Sequence, residues 1–151
     1  MGRSYSGVDD QNLTSTPGES VIALQSATTI RPALFELITG NTGTPADAAI
    51  ECRLKRFFTD DGTNTSLTAD PIDPGDPASL ATLTGNHTVE PDYTVGGEPL
   101  VFELNMRATF RWISAPGKEI KAPAVATEGW GFVSFHASQT TLYTCTIMWE
   151  E

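Results

Sequence analysis

Five aspartates form the densest set of groups that could bind a metal: Asp60, Asp61, Asp70, Asp73 and Asp76. Carboxylate oxygens are the ligands that calcium prefers, but the spacing here does not match the twelve-residue calcium loop. Most of these aspartates also adjoin Pro or Gly, as turn and capping aspartates do. We therefore predict a structural acidic loop, no metal site and no required cofactor, and we keep calcium binding as the alternative.

Nucleophilic catalysis would require a serine or cysteine close to a histidine base. The histidines are His87, in the turn-like sequence Gly-Asn-His-Thr, and His136, which follows an aromatic run. Their spacing matches no Cys/His or Ser/His/Asp site, and the sequence has no nucleophile elbow or phosphate loop. The sequence thus predicts a protein that is not an enzyme and has no catalytic residues, with a hydrolase as a distant alternative.

Cys52 and Cys145 each lie in a strand-like apolar run, and they are the only cysteines. A single pair cannot form a disulfide scaffold, and its spacing is not that of a zinc site. A chain that folds in a reducing cytoplasm also keeps its thiols reduced. We therefore predict two buried free thiols, with a disulfide between them as the alternative.

Tryptophan side chains exposed on one face of a sheet could bind sugars. Trp112, Trp130 and Trp149 all lie in strand-like runs, where packing in a core is the ordinary role of a large aromatic residue. The sequence favours core packing. A carbohydrate-binding β-sandwich stays open as an alternative, and it requires exposed Trp or Tyr side chains on one face.

The charge of the chain is strongly negative, with 9 Lys and Arg against 19 Asp and Glu and a net charge of −10. Such a charge repels phosphate backbones and anionic membrane surfaces. No apolar run is long enough for a membrane-spanning helix, and the first ten residues lack the apolar stretch of a secretory signal. We therefore expect neither a nucleic-acid partner nor a membrane partner.

The elements that must position these residues are predominantly strands. Ile50, Cys52, Leu54 and Phe58 share one parity, which indicates a half-buried strand. Similar strand signals occur at residues 100–106, 110–112, 130–135 and 143–149. Gly and Pro turns separate about eight short strands, the pattern of a sandwich or jelly roll. We predict an all-β, single-domain β-sandwich or jelly-roll-like body at residues 21–151.

One short helix is predicted within this body. Asp76 suits the N-cap position and Pro77 the first helical position. The residues that follow, up to Leu83, are compatible with one or two helical turns. The sequence therefore predicts a helix at residues 77–83.

Residues 1–20 are polar, rich in Gly, Ser and Thr, and without a regular period. Such a segment cannot bury enough apolar surface to fold by itself. We predict an extended N-terminal arm that docks on another molecule, with a tail of no function as the alternative. Four residues are the candidate interface anchors: Arg3, Tyr5, Val8 and Leu13.

Three stretches and the final Glu-Glu carry a resemblance to a known group of proteins. They are residues 43–50 (GTPADAAI), 86–91 (NHTVEP) and 107–120 (RATFRWISAPGKEI). Together they resemble small virion proteins of tailed phages that act as capsid decoration, or cement, proteins. The resemblance covers most of residues 30–151 and leaves out the first 20 residues.

The resemblance implies a virion structural protein that is made in the host cytoplasm and binds the major capsid protein on the capsid surface. It also implies a homo-oligomer, for which we expect a trimer because decoration proteins commonly occupy quasi-threefold lattice points. A compact acidic body without an active site is compatible with that role. Another virion component, such as a tail or fibre module, is the alternative within the same class.

Overall fold

The protein is an all-β sandwich, as the sequence predicted. The computed structural model describes residues 2–13, 18–59, 62–135 and 141–151, which form two antiparallel sheets packed face to face. Within these ranges the regular elements are thirteen strands, and no helix is long and apolar enough to cross a membrane. The strands are β1 (Ser4–Leu13), β2 (Glu19–Gln25), β3 (Ala33–Thr42), β4 (Ala49–Thr59), β5 (Thr65–Leu67), β6 (Asp70–Pro71), β7 (Thr82–Gly85), β8 (Asp92–Tyr93), β9 (Leu100–Asn105), β10 (Phe110–Ile113), β11 (Ile120–Lys121), β12 (Gly129–Phe135) and β13 (Thr141–Glu150).

Each sheet has one of the last two strands at its centre. Sheet A has the order β10-β3-β13-β1-β6, and β11 pairs with β3 beside β10. Sheet B has the order β5-β7-β2-β12-β4-β8, and β9 pairs with β4 beside β8. The turn from β9 to β10 connects the two sheets, where the rings of Phe102 and Phe110 stack with centroids 3.9 Å apart.

The alternation of apolar residues predicted correctly which side chains point into the core, with one exception. In β13 the side chains of Tyr143, Cys145, Ile147 and Trp149 all point into the core, because successive side chains of a strand point to opposite faces. In β4 the alternation breaks after Leu54, so Phe57 is buried and Phe58 is 50% exposed. The expectation that Phe58 shares the inner face is therefore wrong.

The prediction that residues 1–20 form an arm outside the body is wrong for β1. This segment is extended, but it pairs with β13 through ten consecutive residue pairs, from Ser4–Glu150 to Leu13–Thr141. Tyr5 and Leu13 are completely buried, and the ring of Tyr5 stacks on Trp149 at 5.9 Å. A polar segment is stable here because a neighbouring strand supplies both the backbone partners and the apolar contacts. Residues 14–17 lie outside the described ranges.

The predicted helix at residues 77–83 is also absent from the described structure. Residues 77–81 are irregular and Leu83 belongs to β7. Instead of capping a helix, Asp76 closes a turn by donating its N–H to the carbonyl of Asp73 at 2.9 Å. The backbone N–H groups of Leu80 and Ala81 are satisfied by the carboxylate of Glu151 at 3.0 Å each. These N–H groups thus donate to a carboxylate that is distant in sequence and not to the carbonyl groups of a helix.

Tyr5→Ala should destabilise the fold by about 3–5 kcal/mol, because it removes a fully buried aromatic side chain from the core. Val8→Ala, on the same strand but 55% exposed, should change the unfolding free energy by no more than about 0.5 kcal/mol. Denaturant unfolding of both variants checks this. Equal midpoints for the two variants would contradict the placement of β1 in the sheet.

Candidate interaction surface

The four predicted anchor residues divide between the core and the surface. Tyr5 and Leu13 point inward, so they are not available to a partner in this fold. Val8 points outward and is 55% exposed, while Arg3 is exposed beside Asp76, with 4.0 Å between its Nε and the carboxylate. Two of the four residues therefore remain candidates for contact with another molecule.

Val8 lies at one side of a partly apolar area on the outer face of sheet A, which we call the sheet A patch. In the strand register Val8 is beside Thr146, and Thr146 is beside Ile38. Ile113, at the other side of the patch, is 54% exposed. The patch comprises Ser6, Val8, Ile38, Ile113, Thr144, Thr146 and Met148.

The sheet A patch encloses one ion pair, because the register places Glu36 between Met148 and Ile113 and places Arg111 beside Ile38. Asp10 and Glu150 are exposed towards opposite ends of the face. Arg111 donates from Nε to Glu36 Oε1 at 2.6 Å, so this pair adds no net charge. With this ion pair the patch carries no net charge, on a chain whose net charge is −10. The alternation of β1 that buries Tyr5 also exposes Val8, which the sequence did not predict because no strand was expected at residues 4–13.

The acidic loop contains turn aspartates. Gly75 donates its N–H to Asp73 Oδ1 at 2.9 Å, which is the side-chain bond of an Asx turn. Among the residues that the structure describes, no three His, Cys, Asp or Glu side chains are grouped so as to hold a metal ion. Asp60 and Asp61 lie outside the described ranges, so the full predicted set cannot be placed.

The Glu151 carboxylate holds the loop before β7 against the end of β13. Besides the N–H groups of Leu80 and Ala81, it accepts hydrogen bonds from Ser79 Oγ at 2.5 Å and from Trp149 Nε1 at 3.2 Å. Burial alone would raise the pKa of Glu151. The hydrogen bonds outweigh burial, so its pKa is lowered below the ordinary value of 4.5.

A second half-buried carboxylate, that of Glu90, fastens residues 86–91, which we call the crossing segment, across the outer face of sheet B. This segment leads from β7 to β8, on opposite sides of β2 and β12. Glu90 accepts a hydrogen bond from the Ser20 N–H at 2.9 Å and another from Ser20 Oγ. Tyr93 Oη lies 2.5 Å from Ser20 Oγ. Gly131 makes room for this hydroxyl, since a Cβ there would lie 2.1 Å from it.

The crossing segment also contains His87, which is 96% buried, with 4% of its surface exposed. Its Nε2 lies 3.4 Å from Thr84 Oγ1. Ser20 is completely buried, and its hydroxyl contacts a carboxylate and a phenol. This serine therefore fastens the crossing segment to β2 and is not accessible to a substrate. His136 lies outside the described ranges.

Two carboxyl groups at this end of the sandwich have raised pKa values. Burial raises the pKa of Glu90, and its hydrogen bonds with Ser20 offset only part of the shift. Burial likewise raises the pKa of Asp9, which points inward from β1 and accepts the N–H of Asn86 at 3.1 Å. Both carboxyl groups are thus more costly to ionise in the folded chain than in the unfolded one.

Both cysteines are free and buried, as predicted. Cys52 Sγ lies 3.5 Å from Tyr143 Oη. Burial raises the pKa of Cys52 to about 11, and it raises the pKa of Cys145 well above its ordinary value. Because the thiolate is the reactive form, both groups act as small core side chains at neutral pH.

The aromatic residues do not form an exposed platform for a sugar. Trp149, Tyr5 and Tyr143 are completely buried, and Trp130 is 9% exposed. Trp112 and Tyr93 are half-buried, and Trp112 packs against the core. All six Trp and Tyr residues therefore follow the core-packing expectation more closely than the sugar-binding alternative.

Comparisons of the chain with protein-family models, curated protein sequences and solved structures found no match. The geometry of the chain and the resemblance noted in its sequence are therefore the grounds on which a function is proposed.

Glu151→Gln should lower stability at pH 7 by about 1–2 kcal/mol, because the charged acceptor of four hydrogen bonds is lost. The Glu151 contribution is fully present above pH 4.5 and disappears as pH falls through its lowered pKa. Thermal unfolding over a pH series measures both effects. Glu150→Gln, at the exposed neighbouring position, is the control and should leave stability unchanged.

In Glu90→Gln, the free energy of unfolding should fall less steeply with rising pH than in the unaltered chain. A carboxyl with a raised pKa retains its proton longer in the folded state, so its contribution to stability is greatest below pH 4.5 and declines as pH rises through the folded-state pKa. Asp9 has the same sign, so part of the slope should remain. Glu103→Gln at an exposed position should keep the full slope, and an unchanged slope in Glu90→Gln would refute this reading.

Proposed function

We propose that this protein is a virion structural protein: a capsid decoration protein that binds the major capsid protein lattice of a tailed phage. The observation that carries the proposal is the sheet A patch, a partly apolar β-face without net charge on an otherwise acidic chain. The exposed side chains of Val8 and Ile113 on this face are available to another protein. The proposed place of action is the capsid surface, after synthesis in the host cytoplasm.

The resemblance to decoration proteins supports the same surface. The stretch at residues 107–120 contains β10, the turn that follows it and the first residue of β11. Ile113, within that stretch, is part of the sheet A patch and 54% exposed. One of the segments that carry the resemblance therefore adjoins the proposed contact surface.

The size of the sheet A patch favours a repeated partner such as a lattice. It spans three strand spacings and three rows of side chains, or about 15 Å by 14 Å and about 200 Å². A standard protein interface buries about 800 Å² on each partner, so one patch by itself would bind weakly. Several copies held together would bind a lattice with much greater avidity.

The location of the protein distinguishes the proposal from its alternatives. Mass spectrometry of purified heads separated from tails should find the protein in the head fraction, and added protein should bind empty heads. A tail fraction would favour a tail or fibre module. Binding to immobilised oligosaccharides, with none to heads, would favour the carbohydrate-binding alternative.

Val8→Asp should weaken binding to empty heads by at least about tenfold, because it places an unpaired charge within the contact. Val101→Asp is the matched control, since Val101 is 49% exposed but lies on β9 at the edge of sheet B. Co-sedimentation of each variant with heads at limiting concentration measures the effect. Equal binding by both variants would exclude the sheet A patch as the contact.

A further inference from the structure

The two edges of sheet A carry opposite charges. One edge, which we call the basic edge, consists of β10, β11 and the chain beside them. Its cations are Arg31, Arg111, Lys118 and Lys121, all exposed, and its carboxylates are Glu36 and Glu119. The sum is four positive and two negative groups, or +2. The basic edge is therefore cationic on a chain whose net charge is −10.

The opposite edge, which we call the acidic edge, consists of β6, the outward side of β1 and the turn after β6. Its carboxylates are Asp10, Asp70, Asp73 and Asp76, and its cation is Arg3. The sum is one positive and four negative groups, or −3. Four strand spacings, about 19 Å, separate this edge from the basic edge.

Both edges also expose an apolar side chain and backbone that a further strand could pair with. Ile113 on the basic edge is 54% exposed, and Ile72 beside the acidic edge is 52% exposed. β10 and β6 are the end strands of sheet A; β6 pairs with β1 at Tyr5 and Ser6, and Ile72 donates its N–H to the carbonyl of Ser4 at 2.8 Å. Open edges with apolar side chains are sites at which strands of another chain add.

We propose that copies of this chain associate head to tail, with the basic edge of one copy against the acidic edge of the next. Contact between two basic edges or two acidic edges is disfavoured by repulsion between like charges, whereas the unlike pair attracts. A contact between two different surfaces of the same chain is heterologous, and it produces a closed ring when the rotation between copies closes. This association does not depend on binding to a capsid.

Charge reversal at each edge tests the proposal. Lys118→Glu with Lys121→Glu reverses the basic edge, and Asp10→Lys with Asp70→Lys reverses the acidic edge. Each double variant should weaken association by at least about tenfold, because an attractive contact becomes a repulsive one. The variant with all four changes has both edges reversed, and it should regain association.

Sedimentation velocity over a concentration series measures association at about 0.15 M salt, where repulsion between the net charges of two copies is largely screened beyond about 8 Å. Asp92→Lys with Glu103→Lys is the control: it makes the same charge change as the acidic-edge variant, at exposed positions on β8 and β9 of sheet B. It should associate like the unaltered chain. A monomeric unaltered chain at this salt concentration, an equal effect of the control, or failure of the fourfold variant to recover would each overturn the proposal.

Discussion

The pairing of β1 with β13 is the interaction on which the rest of the structure depends. It joins the first described strand to the last through ten consecutive residue pairs, and it stacks Tyr5 on Trp149 in the core. β13 also pairs with β3, so it connects both halves of sheet A. The sheet A patch and the acidic edge exist only because β1 is held in this position.

Two buried or half-buried carboxylates then fix the segments that are not strands. Glu151 replaces helical hydrogen bonds for the loop before β7, and Glu90 fastens the crossing segment to Ser20. The two groups have opposite pKa shifts because Glu151 accepts four hydrogen bonds, whereas burial dominates for Glu90. A carboxyl group therefore fastens each segment, but the contribution of Glu151 to stability is lost at low pH, whereas that of Glu90 declines as pH rises.

The fold class was predictable because it depends on local alternation. The apolar alternation around Cys52 and Cys145 predicted both the strands that contain these cysteines and the burial of their thiols. The role of β1 was not predictable. Its buried residues, Tyr5, Gly7, Asp9 and Leu13, include a glycine and an aspartate, so the segment lacks the apolar alternation typical of a core strand. The missing helix had a similar cause, since its competitor, Glu151, is about 70 residues away along the chain. Contacts distant in sequence decided both outcomes.

The position of the last two strands has a consequence for how the chain folds during synthesis. β12 lies between β2 and β4, and β13 lies between β3 and β1. The central strand pairs of either sheet cannot form until residues 129–150 have left the ribosome. Folds dominated by such long-range pairing fold slowly, because the loops must close before the contacts form. In the nascent chain, β1 to β4 therefore lack the strands with which they mainly pair until translation of β13 is complete.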